Sequence, residues 1–250
     1  MTLRSAWKKL RQSIARRLLK NPFDVAHYLC VGNGLEVGAM SSPYPFGGRC
    51  VVEYADIHDE TTLKNIIDKI PLPNLYRGKF VKATYQLKAP RYGLDMIKSN
   101  SLDFVFSSHS LEHTPNPIWA LIDQLRVCRP GGVVYAVIPN KRFTYDCHRN
   151  ATSVETLIKK YRDQDFQHTI EQALDIVLNT IDHPLYKDNR HRAQEYARQI
   201  IKDGEGIHHF YVFDEVNTLE MLKFVSDATT AKIEYFSSAE LGDIRFALRR

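Results

Sequence analysis

The chain has 250 residues, 44% hydrophobic and 25% charged, with a formal net charge of +5. That length suits one well-cored domain with an insertion, and no stretch approaches the roughly 20 apolar residues that span a bilayer. The charge is uneven: the first twenty residues hold seven Lys or Arg and no acid, which leaves 27 basic against 29 acidic residues in the remainder. A near-neutral body excludes the broad basic face of a nucleic-acid binder, so no nucleic-acid partner is expected. The basic N-terminus has no apolar run or cleavage site and is not read as a secretory signal. Cys30, Cys50, Cys128 and Cys147 show no Cys-x-x-Cys spacing. Reduced thiols in a cytoplasmic protein are the expectation.

Residues 3–20 carry Leu3, Trp7, Leu10, Ile14 and Leu18 at helical spacing among basic residues. The stripe is expected to pack on the domain. The other reading is a peripheral contact, with anionic lipid at the inner membrane surface or with a protein partner. Asn21-Pro22 ends this helix. Strands are expected at Leu35–Val37, Arg49–Tyr54, Phe80–Ala83, Leu102–Ser107 and Val133–Ile138, with helices at Thr61–Lys69 and Pro117–Cys128. The fifth strand is apolar at nearly every position, as in a parallel sheet buried on both faces. The alternation implies right-handed βαβ units.

From Ala151 to Gly206 the sequence turns polar and helical, with one apolar stripe at Ile170, Leu174, Ile176, Val177 and Ile181 and a break at Asp182-His183-Pro184. It reads as an insertion that caps a site. Val216–Phe224 is a further helix with Asp214 as N-cap, and Lys232–Ser237 and Asp243–Arg249 are strands able to pair as a hairpin. The expected organisation is a basic helix (1–22), an α/β core (23–150), a helical insertion or lid (151–207) and the C-terminal part of the core (208–250).

Two segments carry the chemistry. One is Gly34-Leu35-Glu36-Val37-Gly38-Ala39. The other runs from Ser101 through Asp103-Phe104-Val105-Phe106 to Ser107-Ser108-His109-Ser110-Leu111-Glu112-His113, and Pro130-Gly131-Gly132 follows. Each is an apolar strand opening into small or polar residues, where open α/β sheets bind ligands. The dinucleotide pattern Gly-x-Gly-x-x-Gly fails, because Gly32 and Gly34 precede the expected strand and its third glycine is Val37. The ordered set of glycine loop, acidic residue, Asp-Phe-Val-Phe, Leu-Glu-His and Pro-Gly-Gly resembles class I S-adenosylmethionine-dependent methyltransferases. It is most similar to small bacterial type-11-like enzymes, including those of surface-polysaccharide pathways. The resemblance covers roughly Gly32 to Asp146 and resumes near the C-terminus.

That resemblance implies an α/β, Rossmann-like, doubly wound fold: a mostly parallel seven-stranded sheet with an antiparallel last strand and a helical insertion. It implies S-adenosyl-L-methionine as cofactor. Glu36, Val37, Gly38 and Ala39 would lie beside its methionine part, Asp56 and Ile57 at the ribose, and Tyr85 at the adenine. Ser107, Ser108 and His109 would border the sulfonium and the acceptor. Met40 stands where the family has a second glycine.

His109 ranks first among neutral-pH bases. Only one of the adjacent His208 and His209 can face a pocket if the chain is extended, and His209 is taken as that one. Lys141 and Arg142 suit an anionic acceptor, or they pin the loop through Asp146 or Glu205. No ligand set with metal spacing is evident, so no metal is expected. The function expected is O-methylation of a sugar, a glycan precursor or a phosphate-like small polar acceptor. The other reading, motivated by Met40, is a non-catalytic partner that docks through residues 1–20.

Overall fold

The computed structural model describes residues 22–69, 80–180, 189–203, 208–238 and 242–250. The expected helix at 3–20, the break at Asp182-His183-Pro184, Ile181 and Glu205 lie outside them. The strands are β1 (Gly32–Val37), β2 (Cys50–Asp56), β3 (Tyr85–Gln86), β4 (Leu102–Ser108), β5 (Cys128–Pro139), β6 (Lys232–Ser238) and β7 (Asp243–Arg249). The helices are α1 (Pro22–Leu29), α2 (Glu60–Lys69), α3 (Pro117–Val127), α4 (Val154–Arg162), α5 (Ile170–Asn179), α6 (Arg190–Asp203) and α7 (Glu215–Thr229). The strands form one sheet in the order β3-β2-β1-β4-β5-β7-β6. Strands β1 to β5 pair in parallel, and β7 lies antiparallel between β5 and β6. This is the mostly parallel Rossmann-like sheet that the sequence implied, with its hairpin of β6 and β7.

Strand β5 shows why the sheet is central. Val134, Ala136 and Ile138 enter the larger core, while Val133, Tyr135 and Val137 enter a second core on the opposite face. Helices α3, α4 and α7 contact one another over the larger core. The second core is covered by α1 and by Tyr44 and Phe46, whose rings lie 4.5 Å from Phe106 and 5.3 Å from Phe104. Among the described residues no helix is long and apolar enough to cross a membrane.

Several boundaries differ from expectation for physical reasons. Strand β1 starts at Gly32, so Gly32 and Gly34 lie inside it. A Cβ on Gly34 would sit 2.1 Å from Cζ of Phe104, so a bare backbone lets that ring lie across the strand. The β1–β2 connection has no helix. Its crossover is a loop, and α1, which precedes β1 and was not expected, covers that face together with Tyr44 and Phe46. The third strand is only two residues and sits at Tyr85–Gln86, because pairing with β2 reaches only Ala55 and Asp56. Helix α4 packs on α3 and α7 and buries Leu157 against the larger core. In α5, Ile176 and Val177 of the expected stripe are buried and Leu174 packs on the core, while Ile170 is exposed and Ala173 is buried in addition.

The Asp214 N-cap is present. Its carboxylate accepts from the amides of Val216 and Asn217, and Asn217 returns a bond to the Asp214 amide. Asp214→Ala leaves these amides unpaired and should destabilise the fold by about 1 kcal/mol. The check is a lower urea midpoint with an unchanged m-value.

Candidate functional site

The carboxyl ends of β1, β2 and β4 meet at one edge of the sheet. Gly38 N–H donates to the Ala55 carbonyl at 2.9 Å, joining the ends of β1 and β2. Ser110 Oγ donates to the Val37 carbonyl at 3.0 Å, joining the ends of β1 and β4. Gly38 has φ +76°, and a Cβ there would meet Ser110 Oγ at 2.4 Å. Glycine is therefore required twice over, by its dihedral and by close approach. Met40 also takes a left-handed conformation, φ +48°. A methionine thus occupies a left-handed position that glycine would take without strain.

Glu36 and Asp56 lie on the same face. Glu36 pairs in register with Tyr54, and Asp56 is two residues beyond, so the period of two points both carboxyls to one side. Both are buried. Burial pushes the Glu36 carboxyl up to about 7, opposed by the Tyr44 amide that it accepts at 2.9 Å. Burial also raises Asp56, against the amides of His58, Ile57 and Met40 directed at it. Val37 and Ala39 are buried beside them, and the buried Ser107 Oγ makes no hydrogen bond. Ile57 and the Tyr85 ring pack against the larger core, and the Tyr85 hydroxyl donates to Glu53 at 3.0 Å.

Just beyond β4, half-buried Ser108 leads into His109, which has φ +50° and an amide donating to the Val137 carbonyl. Its ring lies between two carboxylates, Nδ1 at 3.5 Å from Glu112 and Nε2 at 3.3 Å from Asp243. Burial disfavours its charge, but Asp243 and Glu112 outweigh that and raise it to about 10. His109 thus stands at the end of β4 with its protonated form favoured by both carboxylates. Lys141 and Arg142 lie on the turn after β5. Arg142 is exposed, with its guanidinium 3.6 Å from Glu215. Neither bonds Asp146. Arg149 is the buried cation that ties this loop to the core.

Arg149 is one of the largest fully buried side chains in the structure. It donates to Asp146 Oδ1 at 2.7 Å, Asp175 Oδ2 at 2.7 Å and the His209 carbonyl at 2.6 Å. Asp146 Oδ2 in turn meets His209 Nδ1 at 2.6 Å. Burial opposes the charge on Asp146, but His209 and Arg149 outweigh it and lower its pKa. His209 thus faces inward, toward Glu112, while its neighbour His208 is half-buried and accepts from His113 through its carbonyl. Sequence spacing could not show this cluster, because His113 and His208 are 95 residues apart.

A family described as "Methyltransferase domain" matches residues 75–136. That match is to a segment of the chain. It spans β3, β4, α3 and most of β5, and so includes the end of β4 where His109 lies. No curated protein matches the chain in sequence. Among solved structures, a SAM-dependent methyltransferase from Aquifex aeolicus is 12% identical, with 92% of this chain and 89% of that chain covered at a TM-score of 0.45. An S-adenosylmethionine-dependent methyltransferase from Mesorhizobium loti is 10% identical, with 89% and 92% covered at a TM-score of 0.47.

Two arginines separate a buried charge from an exposed one. Arg149→Ala leaves Asp146 and Asp175 without their partner and should cost about 3–5 kcal/mol. Arg142→Ala, at an exposed pair, should cost under about 1 kcal/mol. Urea denaturation of both variants at neutral pH checks the contrast.

Proposed function

We propose that this S-adenosylmethionine-dependent methyltransferase transfers the methyl group to the oxygen of a small polar acceptor: a sugar, a glycan precursor or a phosphate-like compound. The observation that carries the cofactor reading is the pair of buried carboxyls at the ends of β1 and β2, joined by a glycine turn that a side chain would block. The donor set fits. A carboxylate has about four lone-pair sites, so Glu36 can accept from a cofactor ammonium and Asp56 from ribose hydroxyls while each keeps its backbone partners. Gly38 lets the backbone approach, and the unpaired Ser107 Oγ offers one more polar contact. Bound S-adenosylmethionine supplies a methyl group already activated on a sulfonium.

The protein's part is then alignment and exclusion of water. Ser108 and His109 sit at the open end of β4, and Lys141 and Arg142 follow β5, the neighbouring strand. A hydroxylated or anionic acceptor matches that polar rim. The non-catalytic reading rested on Met40, which takes the left-handed conformation a glycine would favour.

Titration calorimetry with S-adenosylmethionine tests the cofactor. Asp56→Asn should weaken binding about 10- to 100-fold, the worth of a hydrogen bond to a charged group. No binding at millimolar cofactor ends the enzyme reading. Mass spectrometry of hydroxylated sugars incubated with enzyme and cofactor tests the acceptor, and methylation found only at carbon or nitrogen rejects the O-transfer reading.

A pH dependence follows from Glu36. With its free-protein pKa raised to about 7, the carboxyl is protonated below that pH and cannot neutralise an ammonium. Cofactor affinity should fall by up to about tenfold per pH unit below 7, and Glu36→Gln should abolish that slope. Stability has the opposite sense. A folded pKa above the unfolded value means that stability is lost as pH rises from the ordinary carboxylate range through about 7, so Glu36→Gln should flatten the thermal-stability profile across that window.

A further inference from the structure

Glu112 poses a problem that the methyl-transfer reading does not use. Its side chain is fully buried, and neither carboxylate oxygen makes a hydrogen bond. Its nearest countercharge, the half-exposed His109, stops at 3.5 Å without a hydrogen bond, so the buried oxygens remain undersatisfied. Three imidazoles surround Oε1: His109 Nδ1 at 3.5 Å, His113 Nε2 at 3.7 Å and His209 Nε2 at 3.9 Å.

The hydrogen bonds on the far sides of two of these rings fix what they offer. His113 Nδ1 lies 2.8 Å from the His208 carbonyl, which only accepts, so Nδ1 carries the proton. His209 Nδ1 lies 2.6 Å from the Asp146 carboxylate, and its proton is there. With the proton of each ring placed on Nδ1, Nε2 is the atom left to offer a lone pair. Two imidazole lone pairs and a carboxylate oxygen thus converge, all within 4.8 Å of one another. Lone pairs facing one another repel, and a divalent cation between them turns that repulsion into coordination. The outer shell is also that of a metal centre: a carboxylate and a backbone carbonyl each hold the distal N–H of a ligand histidine. Arg149 neutralises Asp146 and grips the His209 carbonyl, which fixes the second ring.

From this geometry we infer that Glu112, His113 and His209 form a binding site for a divalent first-row transition metal ion of the zinc class. Two imidazoles with one carboxylate favour such ions over magnesium or calcium, which prefer all-oxygen shells. Bonds of about 2.0–2.1 Å in a tetrahedral shell put ligand atoms roughly 3.4 Å apart, so modest side-chain rotation closes the set. The amides of Phe210 and Tyr211 already bond the Glu112 carbonyl, so the ion would clamp the returning segment at 208–213 onto the turn after β4. The site uses none of the proposed cofactor residues.

Cobalt(II) titration of chelator-stripped full-length protein tests the site, with visible d–d absorption as the readout. The expected result is saturation at one ion per chain, displacement by zinc, and a melting temperature that rises with metal concentration. Glu112→Gln, which keeps the side-chain shape, should weaken cobalt at least 100-fold. Asp146→Asn should weaken it about 10- to 100-fold through the His209 ring alone. Circular dichroism identifies any variant that fails to fold, and His113→Gln then stands in for it. Asp56→Asn should leave cobalt affinity unchanged, which separates this site from the cofactor reading. Unsaturable binding, or equal affinity in wild type and folded Glu112→Gln, overturns the inference.

Discussion

Burial of charge at the carboxyl edge of a parallel sheet is the constraint from which the rest of this structure follows. Glu36 and Asp56 are withdrawn from water by neighbouring strands whose register points both to one side. Desolvation raises both pKa values, and the fold tolerates this because backbone amides of Tyr44, His58, Ile57 and Met40 are turned toward them. The loop between β1 and β2 therefore does more than connect. It carries Met40 in a left-handed turn, delivers amides to both carboxyls, and lays Tyr44 and Phe46 over the second core in place of a crossover helix. A ligand with an ammonium and vicinal hydroxyls matches what these groups lack.

A second concentration of buried charge holds the chain together over long sequence distances. Arg149 reaches Asp146 in its own turn, Asp175 in α5 and the carbonyl of His209 on the returning segment. One guanidinium fork thus joins the core, the helical insertion and the C-terminal part, using the planar donor geometry that Lys cannot supply. The cluster extends through Asp146 and His209 to Glu112 at the end of β4. The turn nearest the proposed transfer site is therefore supported from behind by a polar network, not by apolar packing alone. Buried networks of this kind specify one arrangement when every member is satisfied. Glu112 is the member whose carboxylate oxygens make no hydrogen bond.

Local patterns made much of this legible. The apolar run Val133–Ile138 could only be a strand buried on both faces, and Asp214 ahead of a helical pattern could only be a cap. The glycines were harder. Gly32 and Gly34 read as a loop from their residue type, yet they lie in β1, because Phe104, seventy residues later, needs the space that a Cβ would occupy. Helix α1 was missed because Asn21-Pro22 reads as a stop, although proline is equally suited to a helix's first turn. His109 could be placed at the end of β4 from sequence, but not the Asp243 and Glu112 carboxylates on either side of it.

By itself the sequence determined the α/β class, the succession of the main strands and the two acidic residues at strand ends, because these depend on periodicity, turn chemistry and short spacing. Only the tertiary structure decided that Arg149 and not Lys141 or Arg142 anchors the loop, that His209 turns inward, and that Glu112 meets three histidines. Those outcomes depend on which distant segments share a low-dielectric interior, where a charge must find a partner. No local pattern records which partner that will be.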